Sequence, residues 1–461
     1  MQRRPITENL ANFISRFEPY KLPAELIDYT KLLIFDGVGT LAAASHPKVT
    51  SGARIGAFAE SQGGPSQASL IGRGTKVGVV NAVLANGTLG YACDFEPHHP
   101  EAILHPIAIM IPTALAISEF HERRGIDFVA AVALGCEIAY RVSMAMDPKQ
   151  LYSLGFHPSA VCGGFGAAAA SAYLMDLDTE QTLRALGLAA LQASGLMAWE
   201  DDPKEDARAF QMGMAARNGV TAALLADNGF GAPDRVFDGG HNVLNAFSRG
   251  PSSAPLLDGL GNDWDGVMKL AIKPYPCVSF LHPALDALEI LIRENDLESR
   301  DVTAIELRFA DSGSHCIDDN PLKGHCAQYV LPVRMARGKL DFLDLFEDRR
   351  ESDPEVARLA AATRVIRDHE KLEDLFPKFY AGEVTLSLRD GRRLVQRADL
   401  ARGYPEAPLA AGEVRQKFES IVGTVADAAR CKALAESSLA IAEADNVHTL
   451  ARLLSVPATT D

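Results

Sequence analysis

The segment 94–106 reads DFEPHHPEAILHP and concentrates side chains that can transfer protons. It holds three histidines, three acidic residues and three prolines, and its histidines are a quarter of the 12 in the chain. Imidazoles and carboxylates are the groups that most often act as general acids or bases near neutral pH. We therefore predict that this segment contributes to a site of proton transfer.

Proline follows histidine more often than the composition explains. Random placement of these residues gives roughly one His-Pro pair or fewer in a chain of this length. Proline is favoured at the first position of a helix and keeps the preceding residue out of the α conformation. His105 and His157 each precede a proline and an apolar run, so both are predicted to be helix N-caps. The chain has five His-Pro pairs in all: His46-Pro47, His99-Pro100, His105-Pro106, His157-Pro158 and His282-Pro283.

A helix that begins at each of these two histidines would favour an anion beside it. The N-terminus of a helix has free N–H groups and a partial positive charge, which together bind carboxylates or phosphates. The same field disfavours a protonated imidazole, and a general base must be unprotonated. The spacing therefore predicts a pocket for a small anion beside His105 and His157, although either histidine alone could be a purely structural cap.

Metal binding is the alternative function for the same residues. The side chains of Asp94, Glu96, His98, His99 and His105 are all possible ligands, but their spacing matches no standard motif such as HExxH. The repeated His-Cys pairs, at 315–316 and 325–326, also fit no zinc spacing. We therefore expect no metal site.

Composition limits the classes of function and the compartment. A net charge of −15 argues against non-specific binding to nucleic acid. Seven scattered cysteines and a start, MQRRPITENL, without an apolar run predict a cytoplasmic protein with reduced thiols and no signal peptide. The uncharged stretch HPSAVCGGFGAAAASAYLM is rich in small residues, so we expect a buried helix there and no membrane span. The segment GRGTK lacks the full phosphate-loop pattern, so nucleotide binding is unsupported.

The pattern along the chain predicts a helical domain interrupted by an α+β insertion. Residues 1–265 and 405–461 show helical patterns, and one predicted helix, in VGVVNAVLANG, is expected to stop at Asn86 and Gly87. Residues 266–404 form the insertion. There VTAIELRF alternates as a half-buried strand, and EVTLSLRDGRRLVQ predicts a hairpin that turns at Asp390-Gly391. The predicted fold is therefore mainly α, with a smaller inserted α+β domain.

Four stretches of the chain occur in the order of the signatures of a known family. The opening segment is similar to DFDDTH…HP, and the run GFHPSAVCGGFGAAAASAYLM, with the residues that follow it, is similar to the second signature. KPYPCVSFLHPALDALE looks like the third, and DGRRL with ARGYPEAPL resembles the closing pattern. Together they resemble the MmgE/PrpD family of 2-methylcitrate dehydratase-like proteins over nearly the whole chain.

The resemblance implies a homodimeric enzyme in which the inserted α+β domain is a lid. It also implies that the enzyme uses neither a metal nor an organic cofactor. The family's activities are dehydration of 2-methylcitrate, decarboxylation of cis-aconitate and epimerisation of iminodisuccinate. We therefore expect a lyase that acts on a small di- or tricarboxylic acid, with an epimerase as the alternative. A non-catalytic carboxylate-binding protein is a further alternative. HHPEAILH resembles YHSEAPLH of fungal cis-aconitate decarboxylases more than it resembles the dehydratase pattern.

The resemblance also implies which residues are catalytic. His105 matches the histidine that begins the helix after the first signature, and His157 matches the histidine of GFHP. We expect these two side chains to be the acid and the base. Asp94 matches the first aspartate of the acidic run, and we expect it to orient or charge a histidine. Lys273 matches the lysine of KPYPC, and we expect it to contact a carboxylate or an enolate.

The expected substrate-binding residues are His98, His99, Arg208 and Lys273. Arg208 lies in ARAFQ, where many members of the family have TKRLH, so it replaces the lysine of that motif and Gln211 replaces the histidine. Arginine suits bidentate binding of a carboxylate. The preceding WEDDPKED is unusually acidic. These differences argue against a tricarboxylate that needs several cations at once.

Overall fold

A computed structural model describes residues 5–201, 205–376 and 378–459. Residues 202–204, which belong to the acidic stretch WEDDPKED, lie outside the described part. The chain forms two compact units, Met1–Leu270 with Arg415–Asp461, and Ala271–Val414. The fold is mainly helical, as predicted.

The first unit is built from helices, with one two-stranded ribbon, β1 (Ala68–Ser69) and β2 (Lys76–Val77). Its helices are α1 (Ile6–Ser15), α2 (Ala24–Ala43), α3 (Thr50–Gln62), α4 (Val79–Ala92), α5 (Pro106–Phe120), α6 (Gly125–Met146), α7 (Pro148–Ser153), α8 (Pro158–Leu174), α9 (Thr179–Leu191), α10 (Ala198–Asp201), α11 (Glu205–Asp227), α12 (Val243–Phe247), α13 (Ala254–Leu257), α14 (Asp265–Met268), α21 (Ala428–Leu439) and α22 (His448–Ser455). α20 (Ala411–Val422) connects the second unit to the C-terminal helices of the first.

The helices α5, α6 and α8 form the centre of the first unit. Nearly every residue of α5 and α8 is buried, which agrees with their uniformly apolar sequences. Small residues let the axes approach closely, since a Cβ added at Gly166 of α8 would lie 2.3 Å from the carbonyl oxygen of Gly135 in α6. α6 is long and apolar enough to cross a membrane, but 89% of its most apolar window is buried inside the protein, as in a core helix.

The predicted end of α4 at Asn86 and Gly87 is wrong, because the helix continues to Ala92. The Asn86 side chain is buried, where it accepts from the N–H of Ile71 at 3.0 Å and donates to the carbonyl of Ser69 at 2.9 Å. A Cβ at Gly87 would lie 2.9 Å from the Cα of Gly213 in α11, so glycine permits close helix packing there. Tertiary contacts therefore outweigh the local tendency of both residues to end a helix.

The second unit contains a four-stranded sheet in the order β4-β3-β5-β6. β3 is parallel to β4 and antiparallel to β5, which forms an antiparallel hairpin with β6. Both sequence predictions are confirmed, because β3 buries Ile305, Leu307 and Phe309 and the hairpin turns through Gly391 at φ 89°. The strands are β3 (Val302–Ala310), β4 (Thr363–Asp368), β5 (Gly382–Leu388) and β6 (Arg393–Ala398), and the helices are α15 (His282–Asn295), α16 (Asp311–Ser314), α17 (Ala327–Arg337), α18 (Arg349–Ser352) and α19 (Pro354–Ala361).

Candidate active site

The loop between α4 and α5 carries the acidic and histidine residues of the opening segment. Asp94 follows the end of α4 in the left-handed conformation, with φ 48°, and its N–H donates to the carbonyl of Tyr91. Aspartate tolerates this conformation better than most residues. Further along, His99 and Leu104 exchange two backbone hydrogen bonds that close the loop. The loop thereby brings the carboxylates of Asp94 and Glu96 close to the histidine that begins α5.

His105 is the N-cap of α5, which confirms that prediction, but its side chain does not cap the helix. Its backbone N–H donates to Oγ of Ser159 at 2.8 Å, and its Nδ1 donates to Oε1 of Glu96 at 2.7 Å. The carboxylate can only accept a hydrogen bond, so in the neutral ring Nε2 is the atom without a proton. Glu96 is almost fully buried, with 1% of its side chain exposed. This arrangement makes Nε2 of His105 a proton acceptor whose protonated form Glu96 stabilises.

His157 is the N-cap of α8 and, unlike His105, caps it with its own side chain. Nδ1 accepts from the N–H of Ser159 at 3.2 Å. In the neutral ring the proton is therefore on Nε2, which is a hydrogen-bond donor. Burial, followed by the charges of His105 and Arg208, lowers the pKa of His157 to about 3. His157 is consequently a neutral donor at ordinary pH, whereas His105 offers an acceptor.

The two histidines belong to one cluster of rings around Tyr91. The centroid of His105 lies 4.6 Å from that of Tyr91, 5.7 Å from that of His98 and 6.1 Å from that of His157. The His98 ring is nearly parallel to that of His105, with 25° between their planes. The structure therefore brings together both predicted catalytic histidines and the predicted substrate-binding His98.

Arg208 on α11 places a positive charge against the same cluster. Its guanidinium carbon lies 4.3 Å from the centre of the Tyr91 ring, and Nη1 lies 3.8 Å from Oδ2 of Asp94. Only 2% of the residue is exposed. A buried guanidinium beside two imidazoles can bind a carboxylate, and Asp94 balances part of its charge when no substrate is bound.

His99 has a different environment from the other histidines of the segment. Nδ1 accepts from the N–H of Ala102, and Nε2 donates to the carbonyl of Asp265 at 3.1 Å. Burial lowers the pKa of His99 to about 4, so the ring stays neutral. Because both ring nitrogens are occupied by backbone groups, the geometry gives His99 a role in holding the loop. Its predicted role in substrate binding stays a prediction.

Lys273 lies in the second unit and is almost completely buried, with 1% exposed. The segment that carries it is fixed by a network in which Asp286 accepts from the hydroxyl of Tyr275 at 2.8 Å and from the N–H of Arg402 at 2.9 Å. The backbone N–H of Ile272 donates to the carbonyl of Gly403 at 2.9 Å. These contacts join the KPYPC segment to the closing ARGYPEAPL segment.

Asp94, Glu96 and His105 could in principle hold a metal ion. One ligand atom from each lies within 4.8 Å of the others. Two features oppose a cation there, since Nδ1 of His105 already donates to Glu96 and the guanidinium of Arg208 stands beside Asp94. A second positive charge at this place would be repelled. The donor set is therefore better suited to moving a proton than to binding a divalent ion.

No sequence pattern indicated a catalytic role for Glu96, Tyr91 or Ser159. By residue type Glu96 was only a possible metal ligand, because its separation from His105 does not predict a hydrogen-bonded pair. The rings of His105 and His157 and the guanidinium of Arg208 all pack against the ring of Tyr91. Ser159 joins the starts of α5 and α8, and no motif in the sequence indicated that connection.

Comparison with known proteins agrees with the order of the sequence signatures. The MmgE/PrpD N-terminal domain matches residues 8–255, and the MmgE/PrpD C-terminal domain matches residues 275–441. The cis-aconitate decarboxylase-like protein oryM of Aspergillus oryzae is 27% identical over 98% of this chain and 97% of its own. Cis-aconitate decarboxylase of Aspergillus terreus is 27% identical over 98% and 96%, and that of Mus musculus is 24% identical over 100% and 96%.

Proposed function

Because the chain belongs to the MmgE/PrpD family, we propose that it is a cofactor-independent decarboxylase of a small unsaturated polycarboxylic acid such as cis-aconitate. The observation that carries this proposal is the pairing of a proton acceptor and a proton donor. The His105–Glu96 pair and the neutral His157 lie in one largely buried cluster beside Arg208. The full-length similarity to proteins named cis-aconitate decarboxylase supports this choice of reaction and substrate, and it outweighs the argument from ARAFQ against a tricarboxylate.

The proposed reaction needs one bond cleavage and one proton. When the carboxylate on the saturated carbon leaves as CO₂, the electron pair of the broken C–C bond is delocalised over the neighbouring double bond toward another carboxylate. Arg208 and the Nε2–H of His157 then stabilise the developing negative charge. His105, protonated and held by Glu96, delivers a proton to the far carbon. Solvent returns a proton to His105 and completes the cycle. Lys273 remains our proposed contact for a substrate carboxylate.

Dehydration is the second candidate, because the same groups serve it. Nε2 of His105 would remove the proton from carbon, and Nε2–H of His157 would protonate the leaving hydroxide. An epimerase would instead need a proton donor on the opposite face of the same carbon. Decarboxylation and dehydration require the same residues but give different products, so a direct analysis of the products separates them.

The decisive experiment is a proton NMR time course in D₂O with cis-aconitate, 2-methylcitrate, citrate and an iminodisuccinate-type diacid. Decarboxylation of cis-aconitate would yield two vinyl protons on one carbon and one deuterium at the new saturated carbon. His157→Ala and His105→Ala should both suppress it. If a folded protein consumes none of these acids but is stabilised by one of them against heat, it binds a carboxylate without catalysis, and the proposal fails.

We expect activity to survive removal of divalent cations. Dialysis against EDTA should leave kcat within about twofold, because every step described above uses side chains that the chain itself supplies. The measurement is the same NMR assay before and after dialysis. A loss that Mg²⁺, Mn²⁺ or Zn²⁺ restores would contradict this prediction and would make Asp94, Glu96 and His105 the first ligands to test.

We also propose that the protein is a homodimer. Leu191, Leu196 and Phe210 are 69%, 63% and 40% exposed, which is unusual for large apolar side chains. Leu196 lies near the part of α11 that carries Phe210, since the carbonyl of Leu196 accepts from the side chain of the adjacent Gln211. We expect Leu196→Glu to convert a dimer into a monomer in light scattering after size exclusion. Tyr20→Ser, at another exposed ring, should leave the mass unchanged, and a monomeric parent protein would contradict the proposal.

A further inference from the structure

The segment that follows α9 is held against the start of α8. The N–H of His157 donates to the carbonyl of Gly195 at 2.8 Å, and the N–H of Met197 donates to the carbonyl of Gly155 at 2.8 Å. Phe156 and Leu196 form the bridge between these two bonds. This short pairing fixes the beginning of α10 next to the N-cap of α8.

Trp199 on α10 is the ring that this pairing brings to His157. The two ring centroids lie 6.2 Å apart, at 43° between their planes. α10 is fixed further by Glu200, which accepts a hydrogen bond from the Tyr152 hydroxyl at 2.7 Å. The position of the indole is therefore fixed by the backbone hydrogen bond of Met197 before it and by the side-chain hydrogen bond of Glu200 after it.

The indole N–H of Trp199 is buried and lacks a hydrogen-bond partner within the described part of the chain. Only 8% of the residue is exposed. Buried polar groups nearly always have partners, because leaving one unsatisfied costs about 1–3 kcal/mol. An indole N–H can only donate, so an acceptor is the missing partner. Because this donor lies beside the candidate active site, a bound ligand is the acceptor that its position favours.

The surroundings indicate an anionic acceptor. His157 is a neutral ring with its proton on Nε2, and its Nδ1 is already bonded to the backbone. The guanidinium of Arg208 packs over the ring of Tyr91, whose centroid is 6.0 Å from that of His157. The indole of Trp199 is thus a direct neighbour of His157, and the guanidinium is its neighbour through the ring of Tyr91. A carboxylate has enough acceptor sites for all three.

We propose that the indole N–H of Trp199 donates a hydrogen bond to a substrate carboxylate beside His157 and so selects the acid that binds. This inference rests on the proposed function, since it names a further contact of the same substrate. It assigns Trp199 to substrate binding and not to proton transfer. Replacing it should therefore raise KM more than it lowers kcat.

The chain allows this contact to be observed directly, because it has two tryptophans. In a Trp264→Phe variant Trp199 is the remaining indole. Trp264 packs against Phe17, with ring centroids 5.8 Å apart, and serves as the matched control. Titration of Trp264→Phe with cis-aconitate should change the emission in a saturable way. Tricarballylate should do the same without turnover, because it has no double bond to take up the electron pair that decarboxylation releases. The same titration of Trp199→Phe should leave the emission of Trp264 unchanged.

Kinetics provide the second test. Trp199→Phe should raise KM about tenfold to a hundredfold, which corresponds to a lost hydrogen bond to a charged acceptor, while kcat changes less than about threefold. Trp199→His keeps a ring N–H and should recover part of the affinity. Turnover with no emission change in Trp264→Phe, or a wild-type KM in a folded Trp199→Phe, would overturn the proposal and leave the proposed function intact. A saturable emission change without turnover of any acid would support the contact and reject the decarboxylase.

Discussion

Glu96→Gln is expected to lower kcat about a hundredfold to ten-thousandfold, the range associated with a lost acid–base group. Glutamine keeps the size of the side chain but removes the negative charge that faces Nδ1 of His105 at 2.7 Å. Its amide can also present an N–H to the ring, which would favour the wrong tautomer of His105. KM should change little, because Glu96 touches the catalytic ring and is not assigned a contact with substrate.

Glu101→Gln is the matched control for this variant. Glu101 belongs to the same loop, but it is exposed and its carboxylate lies 3.6 Å from Nζ of Lys269 at the surface. We expect the kcat of Glu101→Gln to stay within about twofold of the parent value, since exposed ion pairs contribute little to stability. In protein labelled with ¹⁵N-histidine, the Nδ1–H signal of His105 should be displaced in Glu96→Gln and unchanged in Glu101→Gln. A kcat within threefold of the parent enzyme for a folded Glu96→Gln would remove Glu96 from the mechanism.

The residues that lie at helix starts were predictable from the sequence. A proline after a histidine and before an apolar run restricts the backbone locally, so His105 and His157 were placed correctly without any tertiary information. The strand alternation of Ile305, Leu307 and Phe309 is local in the same sense, because one face of a strand must be buried. Patterns of this kind depend on a few neighbouring residues and need no knowledge of the rest of the fold.

The partners of those residues were not predictable in the same way. Glu96 meets His105 only because the backbone turns at Asp94 through a left-handed conformation, which no periodic pattern indicates. Trp199 reaches His157 through a backbone pairing between segments about forty residues apart in the sequence. α4 continues through Asn86 because that side chain is bonded inside the fold. Each of these features is decided by long-range contacts that compete with local preference.

A buried ion pair that contacts the loop joins residues 381 positions apart in the sequence. Lys417 on α20 donates to Asp36 of α2 at 2.8 Å and to the carbonyl of Phe95 at 2.7 Å, and its Nζ lies 3.9 Å from the centre of the Phe95 ring. Burial raises the pKa of Asp36, and the charge of Lys417 opposes that rise. Since Phe95 lies between Asp94 and Glu96, this pair supports the loop that carries the proposed acid–base groups.

Lys417→Met is therefore expected to lower the free energy of unfolding by about 3–5 kcal/mol, as measured by urea denaturation, because it leaves the Asp36 carboxylate buried without its cation. The loss should be larger at pH 8 than at pH 5. Without Lys417 the pKa of Asp36 in the folded state lies further above its unfolded value, so the folded form takes up a proton as the pH falls and the penalty decreases.

The double variant Asp36→Asn with Lys417→Met separates the loss of a charge from the loss of packing. It removes both charges, so we expect it to be more stable than Lys417→Met alone and to lose the pH dependence. Lys432→Met, which removes an exposed lysine from α21, should change stability by less than about 1 kcal/mol. If the double variant were as unstable as the single one at both pH values, packing of the lysine stem would explain the effect. The ion pair would then have no electrostatic role beneath the loop.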